Sequence, residues 1–175
     1  SDLQLIVLHL MGSHPQACDR TQGKYAEFVQ SRETSCYLYT MTQTDNLLSK
    51  LYDQLRNTGN SFSLVYFSDH GLAFKERGKE VQYLAHDDQF QQNFQVPFMV
   101  LSSDDKTHRV IKARRSANDF LQFFSQWTGI KAEQIKTAYP FVSNKKAPQV
   151  YVTNFKLQKV DYNHLGTDIF DIKSK

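Results

Sequence analysis

The strongest constraint on the fold is an apolar run over residues 62–67 that ends in Ser68-Asp69-His70-Gly71. A continuous apolar run of this length predicts a strand that is covered on both faces. Gly71 then allows the backbone to turn away from the strand. Because ligands bind beyond the carboxyl ends of strands in α/β sheets, this position predicts a polar site. The alternative is that Asp69 caps a turn and His70 is an ordinary loop histidine.

Three further apolar runs predict additional strands. They cover residues 3–10, residues 96–101 and residues 148–153, the last with an antiparallel direction as one alternative. The right-handed crossover rule places the first of these parallel to the 62–67 strand, so that both end at one edge of the sheet. We therefore expect an α/β fold, with a layered, mostly parallel sheet and helices on both faces.

Leucine spacing and capping residues predict two helices. One begins at Thr42 or Thr44 and runs through Leu55, and the other opens with the capping pattern at Ser116 and stops before Gly129. Polar segments without periodicity predict surface loops over residues 16–36 and 72–95.

Several histidines are predicted to converge on the end of the 62–67 strand. If the first strand is parallel to it, His9 and His14 lie near Asp69 and His70, and His86 ends the polar loop that follows. Carboxylate oxygens and imidazole nitrogens are ligands that zinc takes in proteins. We therefore predict a metal site at this edge, although each histidine taken singly is also compatible with an ordinary surface position.

Composition narrows the function classes. A length of 175 residues is that of one domain, and a net charge of +3 is too small and dispersed to indicate nucleic-acid binding. No apolar run is long enough to span a membrane. Cys18 and Cys36 either form a disulfide with each other, which would suit an oxidising compartment, or remain thiols, or pair with residues outside this chain. A basic run at residues 106–115 is either solvated surface or a patch for anionic lipid headgroups.

Three ordered motifs resemble those of the phosphoethanolamine transferases, which belong to the sulfatase and alkaline-phosphatase superfamily. The motifs are Gly12-Ser13-His14, Ser68-Asp69-His70-Gly71 and Leu84-Ala85-His86. The resemblance covers most of residues 1–128, and residues from about 139 onward show none. It implies an alkaline-phosphatase-like fold, in which residues 1–175 are one incomplete domain, the C-terminal portion of a periplasmic sulfatase-like catalytic domain.

The resemblance also implies a role for each matched residue. Asp69 and His70 match two ligands of the catalytic zinc, whereas His14 and His86 match histidines that contact the transferred phosphoryl group or a second zinc. His9 matches a position that is often histidine in the family, with a less defined role. The family's threonine nucleophile and a glutamate ligand lie well upstream of the Gly-Ser-His segment. We therefore expect no catalytic nucleophile in this chain.

In the family that the chain resembles, the threonine attacks the phosphorus of phosphatidylethanolamine, and phosphoethanolamine then passes to lipid A or a periplasmic glycan. The resemblance thus implies a zinc-dependent transferase at the periplasmic face of a bacterial inner membrane, anchored by spans upstream of this chain. We expect the chain itself to be soluble, to lack turnover alone and to bind zinc weakly. We expect no nucleic-acid partner.

Two departures from the family's pattern indicate a less typical branch, which would act on a different acceptor. Residues 72–76 read Leu-Ala-Phe-Lys-Glu where Glu-Ser-Leu-Gly-Glu is common, and His14 is followed by Pro15-Gln16 in place of Gly-Pro. Two other functions stay open. One is a sulfatase or phosphatase-type hydrolase of the same superfamily, and the other is a non-catalytic interaction module that has kept the fold.

Overall fold

The computed structural model describes residues 3–27, 31–75, 83–135 and 138–167. These residues divide into two compact units. The first is built from the described parts of residues 1–60 and 74–85, and the second from residues 61–73 and the described parts of residues 86–169. The expectation that residues 1–175 form one domain stays a prediction.

A long helix dominates the first unit. The short helix α1 spans Ala17–Arg20, and α2 spans Arg32–Asn57. Ser31 begins α2, because its Oγ accepts a hydrogen bond from the backbone N of Thr34 at 3.3 Å. A disulfide joins Cys18 to Cys36, with the two Cα atoms 5.0 Å apart, and thereby ties α1 to α2. The disulfide alternative for the two cysteines is therefore the correct one.

Three of the sequence predictions for the first unit are wrong. The helix begins at Arg32 rather than at Thr42 or Thr44, because Ser31 caps it and no glycine or proline interrupts the following turns. Residues 16–36, predicted as a loop, thus contain α1 and the start of α2. Residues 3–10 form no strand in the described structure, and most of their apolar side chains are exposed. A strand needs a neighbour for its backbone hydrogen bonds, and none is paired with this segment.

Six strands form three two-stranded sheets among the described residues. Strands β1 and β4 pair antiparallel and place Val65 opposite Val100. Strand β2 pairs with β3, and β5 pairs antiparallel with β6. In chain order the six strands span Ser63–Phe67, Ala73–Lys75, Tyr83–Ala85, Phe98–Ser102, Tyr151–Thr153 and Lys159–Asp161. The predicted strands near residues 62–67, 96–101 and 148–153 are therefore confirmed.

The predicted α/β character agrees with this mixture of elements, but the described sheets are not the layered, mostly parallel sheet that we expected. Strand β4 runs antiparallel to β1. A parallel partner would need a crossover connection, usually helical, and the described residues between β1 and β4 contain only two short strands and a 3₁₀ turn at Gln91–Asn93. An apolar run gives the same sequence signal for a buried strand in either direction.

Aromatic rings form the core of the second unit. Helix α3 spans Phe120–Thr128, follows a 3₁₀ turn that Ser116 caps, and ends at Gly129, as predicted. Phe123, Tyr139 and Phe141 are buried together. The segment that carries Tyr139 lies against α3, because the side-chain amides of Gln122 and Gln126 both donate to its carbonyl oxygen. No helix in the described part of the chain is long and apolar enough to cross a membrane.

Candidate active site

The turn that follows β1 presents Asp69 and His70. The Oδ1 atom of Asp69 accepts a hydrogen bond from the backbone N of His70 at 3.0 Å, and the Oγ of Ser68 donates to the His70 carbonyl at 2.8 Å. The Asp69 side chain is 83% exposed and that of His70 is 28% exposed. Asp69 thus caps the turn, as the alternative reading required, and its carboxylate still faces solvent.

Gly71 fixes this turn against a neighbouring loop. Its backbone N donates to the carbonyl oxygen of Asn93 at 2.7 Å. A Cβ atom at Gly71 would lie 2.3 Å from the carbonyl oxygen of Gln92, a distance that no side chain tolerates. Glycine is therefore required here by the close approach of two backbone segments.

Asn93 connects the segments that carry His70 and His86, a role that no sequence motif indicated. The residue is 2% exposed. Its carbonyl oxygen holds Gly71, next to His70, while its Oδ1 accepts from the backbone N of Asp87, next to His86, at 3.0 Å. One buried residue thereby sets the spacing of two segments that are separated along the chain.

His70 and His86 lie side by side in the second unit. Their ring centroids are 3.7 Å apart and their planes are inclined by 65°. The Nδ1 atom of His70 is 2.9 Å from the Gly71 carbonyl oxygen, and a carbonyl only accepts, so Nδ1 is the donor. In the neutral ring this leaves a lone pair on Nε2, which lies 3.8 Å from Asp69 Oδ1.

This donor pair suits one side of a zinc centre. Two ligands at 2.0–2.2 Å from one tetrahedral ion lie roughly 3.3 Å apart, close to the separation of His70 Nε2 and Asp69 Oδ1. Histidine ligands are commonly oriented by a hydrogen bond from the other ring nitrogen to a backbone carbonyl, as His70 is. Among the residues that the structure describes, however, no group of three or more His, Cys, Asp or Glu side chains could hold a metal ion.

The other predicted histidines belong to the first unit. His14 is exposed, its Nδ1 lies 3.4 Å from the Pro15 carbonyl oxygen, and Arg20 Nε donates to the His14 carbonyl at 3.1 Å. His9 is exposed within the segment that forms no strand. The structure therefore brings together Asp69, His70 and His86, and a shared site with His9 and His14 stays a prediction. Glu76, in the segment that departs from the family's pattern, lies outside the described residues.

A third ring stands beside the two histidines and carried no signal in the sequence. Phe155, at the tip of the β5–β6 hairpin, has its ring centroid 6.3 Å from that of His86, and the residue is 60% exposed. Its backbone N donates to Asp88 Oδ2 at 2.7 Å. The hairpin tip is thus attached to the loop that carries His86.

Comparison with known proteins identifies relatives of the whole chain. The sulfatase family model matches residues 1–130. The chain is 84% identical over 173 residues to phosphoethanolamine transferase OpgE of Escherichia coli K12, covering 99% of this chain and 33% of that protein. It is 30% identical over 176 residues to the putative transferase YhbX of the same organism, covering 96% of this chain and 30% of YhbX.

A shorter match extends the same group of relatives. The chain is 35% identical over 91 residues to a putative phosphoethanolamine transferase of Haemophilus influenzae, covering 46% of this chain and 19% of that protein. No solved structure matches the chain. The chain therefore spans about one third of the length of the curated relatives that it matches over nearly all its residues.

Proposed function

The chain belongs to the sulfatase family, and from that membership we propose that it is the C-terminal part of a zinc-dependent phosphoethanolamine transferase. The donor would be phosphatidylethanolamine, and the acceptor a lipid A or a periplasmic glycan. The observation that carries the proposal is the placement of His70 beside His86 at the end of β1, with the Asp69 carboxylate next to them. The names of the relatives support the same reaction class.

Asp69 and His70 would hold the zinc ion. His70 would bind through Nε2, since its Nδ1 donates to the Gly71 carbonyl, and Asp69 through a carboxylate oxygen. When bound, zinc neutralises phosphoryl oxygens and lowers the pKa of an attacking hydroxyl group. His86, which is exposed next to His70, would contact the phosphoryl group and steady its negative charge, or take part in binding a second zinc ion.

The remaining parts of the site would come from elsewhere in the protein. Like His86, His14 of this chain would contact the phosphoryl group or a second zinc ion, and His9 keeps a less defined role. Because the relatives are about three times as long as this chain, we place the threonine nucleophile, the glutamate ligand and the membrane spans in the part that corresponds to their other two thirds. The same part would complete an alkaline-phosphatase-like layered sheet.

The disulfide supports the proposed compartment. A bond between Cys18 and Cys36 persists in an oxidising environment such as the bacterial periplasm and is rare in the cytosol. We therefore propose that the enzyme works at the periplasmic face of the inner membrane, where phosphatidylethanolamine is accessible to it.

The test is single-turnover cleavage of headgroup-labelled phosphatidylethanolamine by the zinc-loaded full-length protein. We expect release of diacylglycerol and transfer of the label to a protein threonine. We expect His70→Ala and His86→Ala each to lower the rate at least about 100-fold, in the range of removing a charge-stabilising group. His108→Ala, at an exposed histidine of the basic run, is the matched control.

The family also contains hydrolases, and the sulfatase family model favours that class as the second candidate. Rapid hydrolysis of an aryl sulfate, with no cleavage of phosphatidylethanolamine, would identify a sulfatase. Full-length protein that neither binds zinc nor cleaves either substrate would instead identify a non-catalytic interaction module.

A further inference from the structure

We propose that Phe155, at the tip of the β5–β6 hairpin, is the acceptor-binding residue of this enzyme and stacks on a sugar ring of the acceptor. The proposal rests on the proposed transferase function. Both acceptor classes considered above, lipid A and a glycan, carry pyranose rings, so a sugar ring is their shared chemistry.

Phe155 lies close to the histidine pair. Its ring centroid is 6.3 Å from that of His86, whose centroid is 3.7 Å from that of His70. Phe155 is 60% exposed although it is large and apolar. A group held at the histidine pair would therefore leave its attached acceptor within reach of the open face of Phe155.

The tip is held rigidly enough to act as a binding platform. The Phe155 backbone N is bonded to Asp88, and Asn154 Oδ1 accepts from the backbone N atoms of Lys156 and Gln158 at 3.0 and 2.8 Å. The base of the hairpin is tied to the 3₁₀ turn that precedes α3, where Ser116 Oγ donates to the Tyr151 carbonyl. A preorganised ring loses little conformational entropy when a ligand binds.

The surroundings of the ring favour a sugar. A pyranose has an apolar face of C–H groups and a polar rim of hydroxyl groups. An exposed aromatic ring can cover the apolar face, and the flanking side chains of Lys156 and Gln158 are exposed and able to hydrogen-bond the rim. Insertion of the tip into lipid is the competing explanation, because Leu157 is also 86% exposed.

The hairpin also lies where a specificity element is expected. The family model ends at residue 130, before β5 begins at Tyr151. The alignments with OpgE and YhbX cover 99% and 96% of the chain and therefore include the hairpin. A segment outside the region that the family model matches, placed beside a histidine inside that region, suits recognition of a substrate, which under the proposed function is the acceptor.

The test separates the two half-reactions of the zinc-loaded full-length enzyme. Donor cleavage is measured as single-turnover release of diacylglycerol from phosphatidylethanolamine without acceptor. Acceptor transfer is measured with two probes, lipid A in detergent micelles and a soluble glucose oligosaccharide. For Phe155→Ala we expect donor cleavage within twofold of wild type and a KM raised about tenfold or more for the acceptor that the wild type uses. Phe155→Trp should restore most of this loss.

Leu157→Ala is the matched control on the same tip, and we expect its acceptor KM to stay within twofold of wild type. An unchanged acceptor KM in Phe155→Ala overturns the proposal, as does wild-type transfer to neither sugar acceptor. Equal losses in Phe155→Ala and Leu157→Ala, seen only with acceptor in micelles, would indicate membrane insertion instead. Absence of donor cleavage in the wild type would overturn the proposed function itself.

Discussion

At the scale of single residues, the site depends on Gly71 and Asn93 as much as on the residues that carry the chemistry. Gly71 allows the backbone of Gln92 to approach closely, and the side chain and carbonyl of Asn93 hold the His86 and His70 segments respectively. The sequence indicated that Gly71 turns the chain. It did not indicate the reason, because a contact with a residue some twenty positions away leaves no local pattern.

Replacement of Gly71 tests this close approach. We expect Gly71→Ala to lower the free energy of unfolding by about 2–4 kcal/mol, because the added Cβ would lie 2.3 Å from a carbonyl oxygen and must displace the backbone. Denaturant unfolding measures the loss, and the NMR signals of the His70 ring report the displacement. The control is Gly129→Ala, where no atom lies within 4 Å and only a positive φ is strained, at about 1 kcal/mol. Equal losses in the two variants would contradict the prediction.

Tyr139 gives the second unit a stability that depends on pH. Burial and the hydrogen bond from its hydroxyl to Asp119 Oδ2, at 2.7 Å, raise the pKa of Tyr139 to about 12. The folded state therefore holds this proton more tightly than the unfolded state, whose tyrosine pKa is about 10. The stabilisation is complete below pH 10 and is lost as the pH rises towards 12.

We therefore expect the free energy of unfolding to fall between pH 10 and pH 12, and Tyr139→Phe to remove part of that fall. Denaturant unfolding at several values across this range measures it. Tyr66, whose pKa burial also raises, would account for a remaining part. The control is Tyr83→Phe. If the free energy of unfolding of Tyr139→Phe falls with pH as steeply as that of the wild type and of the control, Tyr139 does not contribute.

At the scale of elements, the sequence predicted strands and helices correctly where the segment with the local pattern also has a tertiary partner. The strand at residues 62–67 and the helix after Ser116 both have a partner in the described structure, and both are confirmed. Residues 3–10 have the pattern of a strand without a paired neighbour, and α2 begins at Arg32, well before Thr42, the earlier of its two predicted caps. The direction of β4 was not predictable, since a buried strand has the same apolar sequence pattern whether it pairs parallel or antiparallel.

Arg115 holds a segment without regular secondary structure, residues 141–145, in place. Its guanidinium donates to the carbonyl oxygens of Phe141, Ser143 and Lys145 and lies 4.7 Å from the centroid of the Tyr139 ring. The sequence placed this arginine only in a basic run. The structure shows that it holds the segment after Tyr139 in place within the second unit.

Lysine cannot replace this arginine. We expect Arg115→Lys to lower the free energy of unfolding by about 2–4 kcal/mol, since an ammonium group cannot reach the spread carbonyls that a planar guanidinium bridges. Thermal and denaturant unfolding measure it. Arg109→Lys, at an exposed arginine of the same run, should change stability by less than about 0.5 kcal/mol. A comparable loss in both variants would rule out the carbonyl contacts as the cause.

In the first unit, the disulfide between Cys18 and Cys36 has the corresponding stabilising role. The two cysteines are 18 residues apart, so we expect the double variant Cys18→Ser, Cys36→Ser to lose about 3 kcal/mol of stability. Reduction of the wild type with dithiothreitol should lower its Tm to that of the variant. A Tm that is unaffected by dithiothreitol in unfolding-permissive conditions would contradict a stabilising role.

At the scale of the whole molecule, the sequence grouped more residues than the structure places side by side. The order of three motifs grouped Asp69, His70 and His86 with His14 and His9. The structure places the first three together in the second unit, and their role as a site stays a prediction. The ligand count could not be predicted in the same way, because a metal centre is assembled from segments whose spacing is set only by the complete fold. Phe155 lies in a part of the chain without any motif, and only the hairpin brings it to His86.

The number of metal ligands that the described residues supply predicts how tightly the chain binds zinc. Complete structural zinc sites bind with about 10–16 kcal/mol, and the described residues supply a pair of ligands rather than three or four. We therefore expect the 175-residue chain to bind zinc with a Kd weaker than roughly 10 μM, and His70→Ala to abolish this binding. Isothermal titration calorimetry measures both, with His108→Ala as control. The full-length protein should keep its zinc through dialysis and lose it on His70→Ala. Submicromolar binding by the chain that survives His70→Ala would place the metal elsewhere.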